Sequence, residues 1–264
     1  MTTVKDVLQY IETLAPGYMK ENWDNVGLLC GSLSKPVGKI LVALDPFSHV
    51  CDEAAELGAD LLITHHPLIF GAIQAVTDET AVGKAILTLA SQGISAINAH
   101  TNLDCAPGGV NDVLAQALGL AYTEVIQPSG TDEDGRPWGL LRKGVVAPMA
   151  LEQFLANTKA ALGCPALRYV NSGKSVHMVA VGGGACAGEL RAAVNAGCDT
   201  FVTADVKYNQ FWDAKELGLN LIDAGHFYTE NPVCAVLAAK LEAQFPEIQV
   251  HLSKTHTDCM KFFD

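Results

Sequence analysis

Five residues in three separate stretches have the types and spacing of a divalent-metal site. His65 and His66 stand together in "LLITHHPLIF", Asp104 lies in "HTNLD", and His226 and Glu230 are four apart in "GHFYTE". Each stretch follows an apolar run that reads as a strand, and in open α/β sheets ligands bind at the carboxyl ends of strands. A helix starting near Gly225 puts His226 and Glu230 on one face. Three imidazoles and two carboxylates are more than one ion with open positions needs, whereas two ions sharing a bridging carboxylate use all five. The N/O donor mix suits Zn, Mn, Fe, Co, Ni or Mg and does not choose among them. Singly, each stretch also has a structural reading: a strand-end histidine pair, a turn or helix cap at Asp104, a capping arrangement at His226 and Glu230.

Other residues are candidates for supporting roles. His100 lies one turn before Asp104 and can orient a ligand through its second ring nitrogen or relay a proton. Asp45, at the exit of "GKILVALDP", can also relay one. The polar loop "ENWDNVGLLCG" can line a cleft, with Trp23 stacking on a ring and Asp24 or Asn25 reading polar atoms. His49, His177, His251 and His256 have no partner in sequence and read as structural or surface residues. "VGGGACAG" matches the Gly-x-Gly-x-x-Gly/Ala turn, so it reads either as a tight strand-to-helix turn or anion seat or as a dinucleotide turn served by Asp205. No Walker A loop, Gly-x-Ser-x-Gly elbow or His-Glu-x-x-His helix is present, which removes three common enzyme readings.

The elements that must position these residues alternate. Amphipathic spacing predicts a helix over 3–14. Strands at "GKILVALDP", "DLLITHHP" and "ISAINAH" then alternate with helices at "VCDEAAELGA", near 80–92 and at "VNDVLAQALG", the last preceded by "TNLDCAPGG" as a loop. This is an α/β pattern with a largely parallel sheet. Residues 127–144, rich in turn formers and charge, read as a loop leading to an edge strand. The helix "APMALEQFLANTKAALG", a second run of α/β units, a long helix at 230–244 and the short strand "IQVHLS" follow. The expected division is 1–125, a first α/β domain with His65, His66 and Asp104, and 126–264, a second with His226 and Glu230. The final helix is free to pack back on the first domain.

Composition narrows the function. The 264 residues are 49% hydrophobic and 17% charged, a globular balance, and the net charge of -12 argues against a nucleic-acid partner. The amphipathic, acid-bearing start is unlike a leader peptide and no apolar run is long enough to cross a bilayer, so the expected location is the cytoplasm. Eight scattered cysteines without a Cys-x-x-Cys pair read as mostly reduced and buried.

Taken in order, "ENWDNVGLLCG", "LLITHHPLIF", "AHTNLDCAPGGVND", "VGGGACAGEL" and "LIDAGHFYTE" resemble the dinuclear-metal-centre family of Nif-three-like proteins, also called GTP cyclohydrolase I type 2 homologues. The resemblance covers nearly the whole chain. It implies two α/β domains with mixed sheets flanked by helices and a paired metal site in the cleft between them. It further implies ligands His65, His66, Asp104, His226 and a bridging Glu230, and a homo-oligomer in the form of a toroidal hexamer. It implies a metal-dependent hydrolase in which a metal-bridging hydroxide attacks a nucleotide-like or other small-molecule substrate, with a non-catalytic metal-dependent binding or regulatory protein as the alternative. One departure stands out: "VTADVKYNQ" carries Ala204 and Asn209 where the family usually has glycine and histidine.

Overall fold

The computed structural model describes residues 1–263. Two compact units divide the chain: Met1–Leu103 with Cys234–Thr257, and Asp104–Val233 with the residues from Asp258 onward. The change of unit comes before the expected boundary at 125. The segment after Asp104 has its contacts with the second sheet, through Arg142, which donates to the carbonyls of Cys105 and Ala106 (both 3.2 Å). The chain then returns, and most of the last long helix counts with the first unit.

The first unit runs α1 (Val4–Leu14), β1 (Gly27–Cys30), β2 (Lys39–Ala43), α2 (Ser48–Leu57), β3 (Leu61–Thr64), α3 (Ala81–Ser91), β4 (Ser95–Asn98) and into α4 (Thr101–Cys105). Thr3 and Asp6 form a capping box that starts α1, whose Val4, Val7 and Ile11 are buried. Gly58, at φ +65°, closes α2 in the left-handed conformation. All four residues of β3 are buried, as befits a central strand; burial of each leucine or isoleucine there contributes about 1.5–3 kcal/mol.

The second unit runs α5 (Val110–Ala117), β5 (Ala121–Ile126), β6 (Gly130–Thr131), β7 (Pro137–Trp138), β8 (Leu141–Met149), α6 (Leu151–Leu162), β9 (Arg168–Val170), β10 (Val176–Val181), α7 (Leu190–Asn195), β11 (Thr200–Thr203), α8 (Tyr208–Glu216), β12 (Asn220–Asp223) and α9 (His226–Glu230). The chain ends with α10 (Pro232–Gln244) and β13 (Gln249–Leu252).

Both large sheets are mixed, and β6 pairs with β7 in a separate antiparallel ribbon. The first has the order β1-β4-β3-β2-β13, with only β1 antiparallel to its neighbour. The second has the order β5-β8-β10-β11-β12-β9, with β10, β11 and β12 parallel and the rest antiparallel. Two local readings change. β8 is not an edge strand, because β5 and β10 flank it on both sides. "TNLDC" is a short helix and not a loop, since Leu103 donates back to the His100 carbonyl at 2.8 Å. The helix expected over 230–244 is α10, and the one starting near Gly225 is the short α9, which ends just before it at Glu230. Among the described residues no disulfide is formed, and no helix is long and apolar enough to cross a membrane.

Candidate metal centre

In the first unit β2, β3 and β4 are parallel and in register, Ala43 beside Thr64 and Thr64 beside Asn98. Their carboxyl ends therefore deliver Asp45, His65-His66 and His100 to one edge of the sheet. The bend after β3 is held locally: Thr64 Oγ1 donates to the His66 carbonyl at 2.7 Å, and the His66 N–H donates to the Leu44 carbonyl at 2.9 Å. His65, His66 and His100 each offer a ring nitrogen, all within 4.8 Å of one another.

Every one of these rings is fixed through Nδ1. His65 Nδ1 meets the Ala99 carbonyl at 2.9 Å, His66 Nδ1 meets Asp45 Oδ1 at 2.6 Å, and His100 Nδ1 meets Asp24 Oδ1 at 2.8 Å. Burial alone raises the two carboxyls, but hydrogen bonds from His100 and Thr101 to Asp24, and from His256 and His66 to Asp45, hold both well below the usual carboxylate range. Ionised carboxylates and a carbonyl only accept, so all three Nδ1 atoms carry the proton. In its neutral form each ring with this tautomer has its lone pair on Nε2, the arrangement that metal-binding histidines adopt.

Two sequence readings are decided here. Asp24 does not face outward to read a ligand; it is buried and accepts from Thr101 N–H at 3.0 Å, Thr101 Oγ1 at 2.5 Å and His100. His256 takes the structural and not the surface reading: its side chain is only 4% exposed, and its Nε2 meets Asp45 Oδ2 at 2.8 Å. No sequence signal marks His256, which lies 211 positions from Asp45. Trp23 is exposed, as is Phe70; their ring centroids are 5.6 Å apart and lie 6.1 and 6.2 Å from that of His100.

The second unit repeats the logic with β10, β11 and β12, whose carboxyl ends lead to Gly182–Gly184, Asp205 and His226. His226 Nδ1 meets Asp205 Oδ2 at 2.8 Å, and across the ring Nε2 meets Glu230 Oε2 at 3.0 Å. Asp205 has φ +51°, a left-handed backbone that a non-glycine residue keeps only when its surroundings hold it there. Asp104 and Glu230 are both buried. Burial, then the charges of these two carboxylates, pushes the Cys186 thiol well above its ordinary value.

The glycine run is not a phosphate cradle. Gly182 N–H donates to the Val202 carbonyl (3.0 Å), Gly183 N–H to Asn111 Oδ1 (2.7 Å) and Gly184 N–H to Thr229 Oγ1 (3.0 Å), so its amides are already committed within the unit. Instead the run makes room. A Cβ on Gly184 would collide with Glu230 Oε1 and lie 3.1 Å from His226 Nε2. The missing Cβ lets the Glu230 carboxylate and His226 Nε2 come close to the backbone together, and a carboxylate beside an imidazole is a donor pair that suits a divalent ion. Ala204 is fully buried after β11, its N–H on the Gly184 carbonyl at 2.9 Å, and Asn209 is exposed on the first turn of α8.

Comparison with known proteins agrees with this architecture. Residues 2–259 match the family model Duf34/NIF3 (NGG1p interacting factor 3). A Clostridium perfringens protein named GTP cyclohydrolase 1 type 2 homolog is 34% identical over 98% of this chain and 99% of its own length. Among solved structures, a Staphylococcus aureus hypothetical protein superposes with a TM-score of 0.92 at 30% identity, covering 99% of both chains. A Bacillus cereus protein related to NIF3 gives 0.91 at 28% identity, over 100% of this chain and 99% of that one. The chain therefore belongs to the Duf34/NIF3 (NGG1p interacting factor 3) family.

Proposed function

We propose that the protein is a metal-dependent hydrolase that holds two divalent ions through His65, His66, Asp104, His226 and Glu230, with Glu230 bridging. The observation that carries the reading is the shared tethering of the histidines: His65, His66 and His226 each engage an oxygen acceptor through Nδ1, which fixes the ring and leaves Nε2, in His226 beside Glu230, as the nitrogen that would hold an ion. Asp104 and Glu230 supply the negative charge, and carboxylates held this deep are stabilised by a cation beside them.

Bound divalent ions supply Lewis acidity and lower the pKa of water toward neutrality. The chain's own groups do the rest. Asp45 and Asp205 hold the His66 and His226 rings in their ligand tautomer. His100, kept in its Nδ1–H tautomer by Asp24, presents a basic Nε2 that can take up or return a proton beside His65 and His66. Trp23 and Phe70 give a planar substrate an apolar surface next to His100. A nucleotide-like substrate follows the name of the Clostridium relative. The same reading includes a cytoplasmic toroidal homohexamer, which sedimentation of the purified protein tests.

Elemental analysis of metal per chain decides the matter, on wild type, His65→Ala and Glu230→Ala, with folding checked by circular dichroism. The expected result is about two ions per wild-type chain, lost in both variants without unfolding. Wild type that stays metal-free after reloading with Zn, Mn and Fe sinks the reading. The family description also names a protein interaction, so a metal-dependent binding role is the second reading. It takes over if the loaded protein turns over no nucleotide, phosphoester or amide substrate.

A further inference from the structure

The far side of Asp45 carries an arrangement that the proposed ligand set does not use. Asp45 divides its two oxygens between two rings, Oδ1 to His66 Nδ1 at 2.6 Å and Oδ2 to His256 Nε2 at 2.8 Å. His256 belongs to the short segment that follows β13, and that segment is fastened down. Ser253 N–H extends the β13 ladder onto the Val42 carbonyl at 2.8 Å. Glu53 on α2 then accepts from Ser253 Oγ at 2.5 Å, Lys254 N–H at 2.8 Å and Thr255 Oγ1 at 2.7 Å. His256 N–H closes the turn onto Ser253 Oγ at 3.1 Å, and the ring packs against Phe47 and His49, with centroids 6.0 and 5.7 Å away.

We infer that His256 is a positioning residue for His66: by donating to Asp45 it fixes the plane of that carboxylate, and through it the orientation and tautomer of the His66 ring. A carboxylate bonded through one oxygen swings about its last torsion; one bonded through both does not. The inference rests on the reading of His66 as a metal ligand for its consequence, and on the hydrogen-bond chain itself for its geometry. It makes the segment 253–257, remote in sequence from every proposed ligand, part of what sets affinity at the His66 arm. Supporting hydrogen bonds of this kind typically carry about 10–100-fold in metal affinity.

The test has two readouts on wild type, His256→Ala, His256→Gln and Asp45→Ala. In metal-free protein, nitrogen-15 NMR of the imidazole rings reports the His66 tautomer directly. The Nδ1–H form is expected in wild type, a mixture in His256→Ala, and recovery in His256→Gln, whose amide can donate to Asp45. In metal-loaded protein, chelator competition with Zn is expected to show a loss of about tenfold in His256→Ala. Recovery is expected in His256→Gln, and no additional loss when His256→Ala is placed on Asp45→Ala. Glu53→Gln, which loosens the segment from α2, is expected to move the His66 signals in the same direction by less. Unchanged His66 ring signals in His256→Ala, with only a lower melting temperature, overturn the inference and leave His256 as packing. Wild type that takes up no Zn while its ring signals respond as described overturns the metal reading instead and retains the positioning role.

Discussion

Gly184 and Glu230 are matched: the glycine, at φ +61°, has no Cβ where the glutamate's Oε1 sits, and the same space borders His226 Nε2. Gly184→Ala is therefore expected to expel the Glu230 carboxylate and to strain the backbone by about 1–3 kcal/mol. Metal content should fall below half of wild type and the melting temperature should drop. Full metal content at an unchanged melting temperature would show that Glu230 does not need this space.

Acid should destabilise the metal-free protein through Asp24. Burial works to raise this carboxyl, but His100 and Thr101 reverse the balance and depress it well below its ordinary value of 3.8. A carboxyl with a lowered folded pKa contributes stability that is complete above the unfolded value and is lost as pH falls through the folded one. Urea unfolding of the metal-free chain should thus show stability falling progressively below about pH 4. Asp24→Asn should flatten this dependence while lowering stability at pH 7. An equally steep acid limb in Asp24→Asn would assign the effect to other carboxyls.

His100 separates binding from chemistry. It shares the histidine cluster but stands outside the proposed ligand set, and Asp24 holds its Nδ1. His100→Gln is expected to keep two ions per chain and to lower hydrolysis by about 10²–10⁴-fold, the usual size of a lost general acid or base. Loss of an ion would make His100 a ligand instead.

Much of this site is legible along the chain because strand ends are. Apolar runs such as Leu61–Ile63 end at polar residues, and the parallel register of β2, β3 and β4 turns sequence-distant strand ends into neighbours. What supports the proposed ligands is not legible in the same way. Asp24 could be noticed in its loop, but its inward turn depends on Thr101, whose hydroxyl and N–H it accepts. His256 reaches Asp45 only because β13 pairs in parallel with β2, a contact that no local pattern announces. The glycine run misleads for a related reason: its spacing copies a phosphate turn, while Asn111 and Thr229 supply the acceptors that occupy Gly183 and Gly184.

Arg142 offers a test of how the Asp104 segment is held in its unit. The side chain is buried on β8. Its Nε donates to Asp112 Oδ1 at 2.6 Å, and its terminal nitrogens donate to the carbonyls of Gly139 (2.6 Å), Cys105 and Ala106 (both 3.2 Å). One guanidinium thus ties the residues directly after Asp104 to the second sheet. Asn111 adds a second tie, donating to the Asp104 carbonyl at 3.1 Å. Arg142→Met keeps much of the volume but leaves three carbonyls and a carboxylate without this donor, so a loss of about 3–5 kcal/mol is expected in urea unfolding. Because the lost bonds flank Asp104, Zn affinity should fall with it, and hydrogen exchange should rise first across 105–112. Weakened stability with undiminished Zn affinity would mean that Asp104 is placed by Asn111 and its own helix alone.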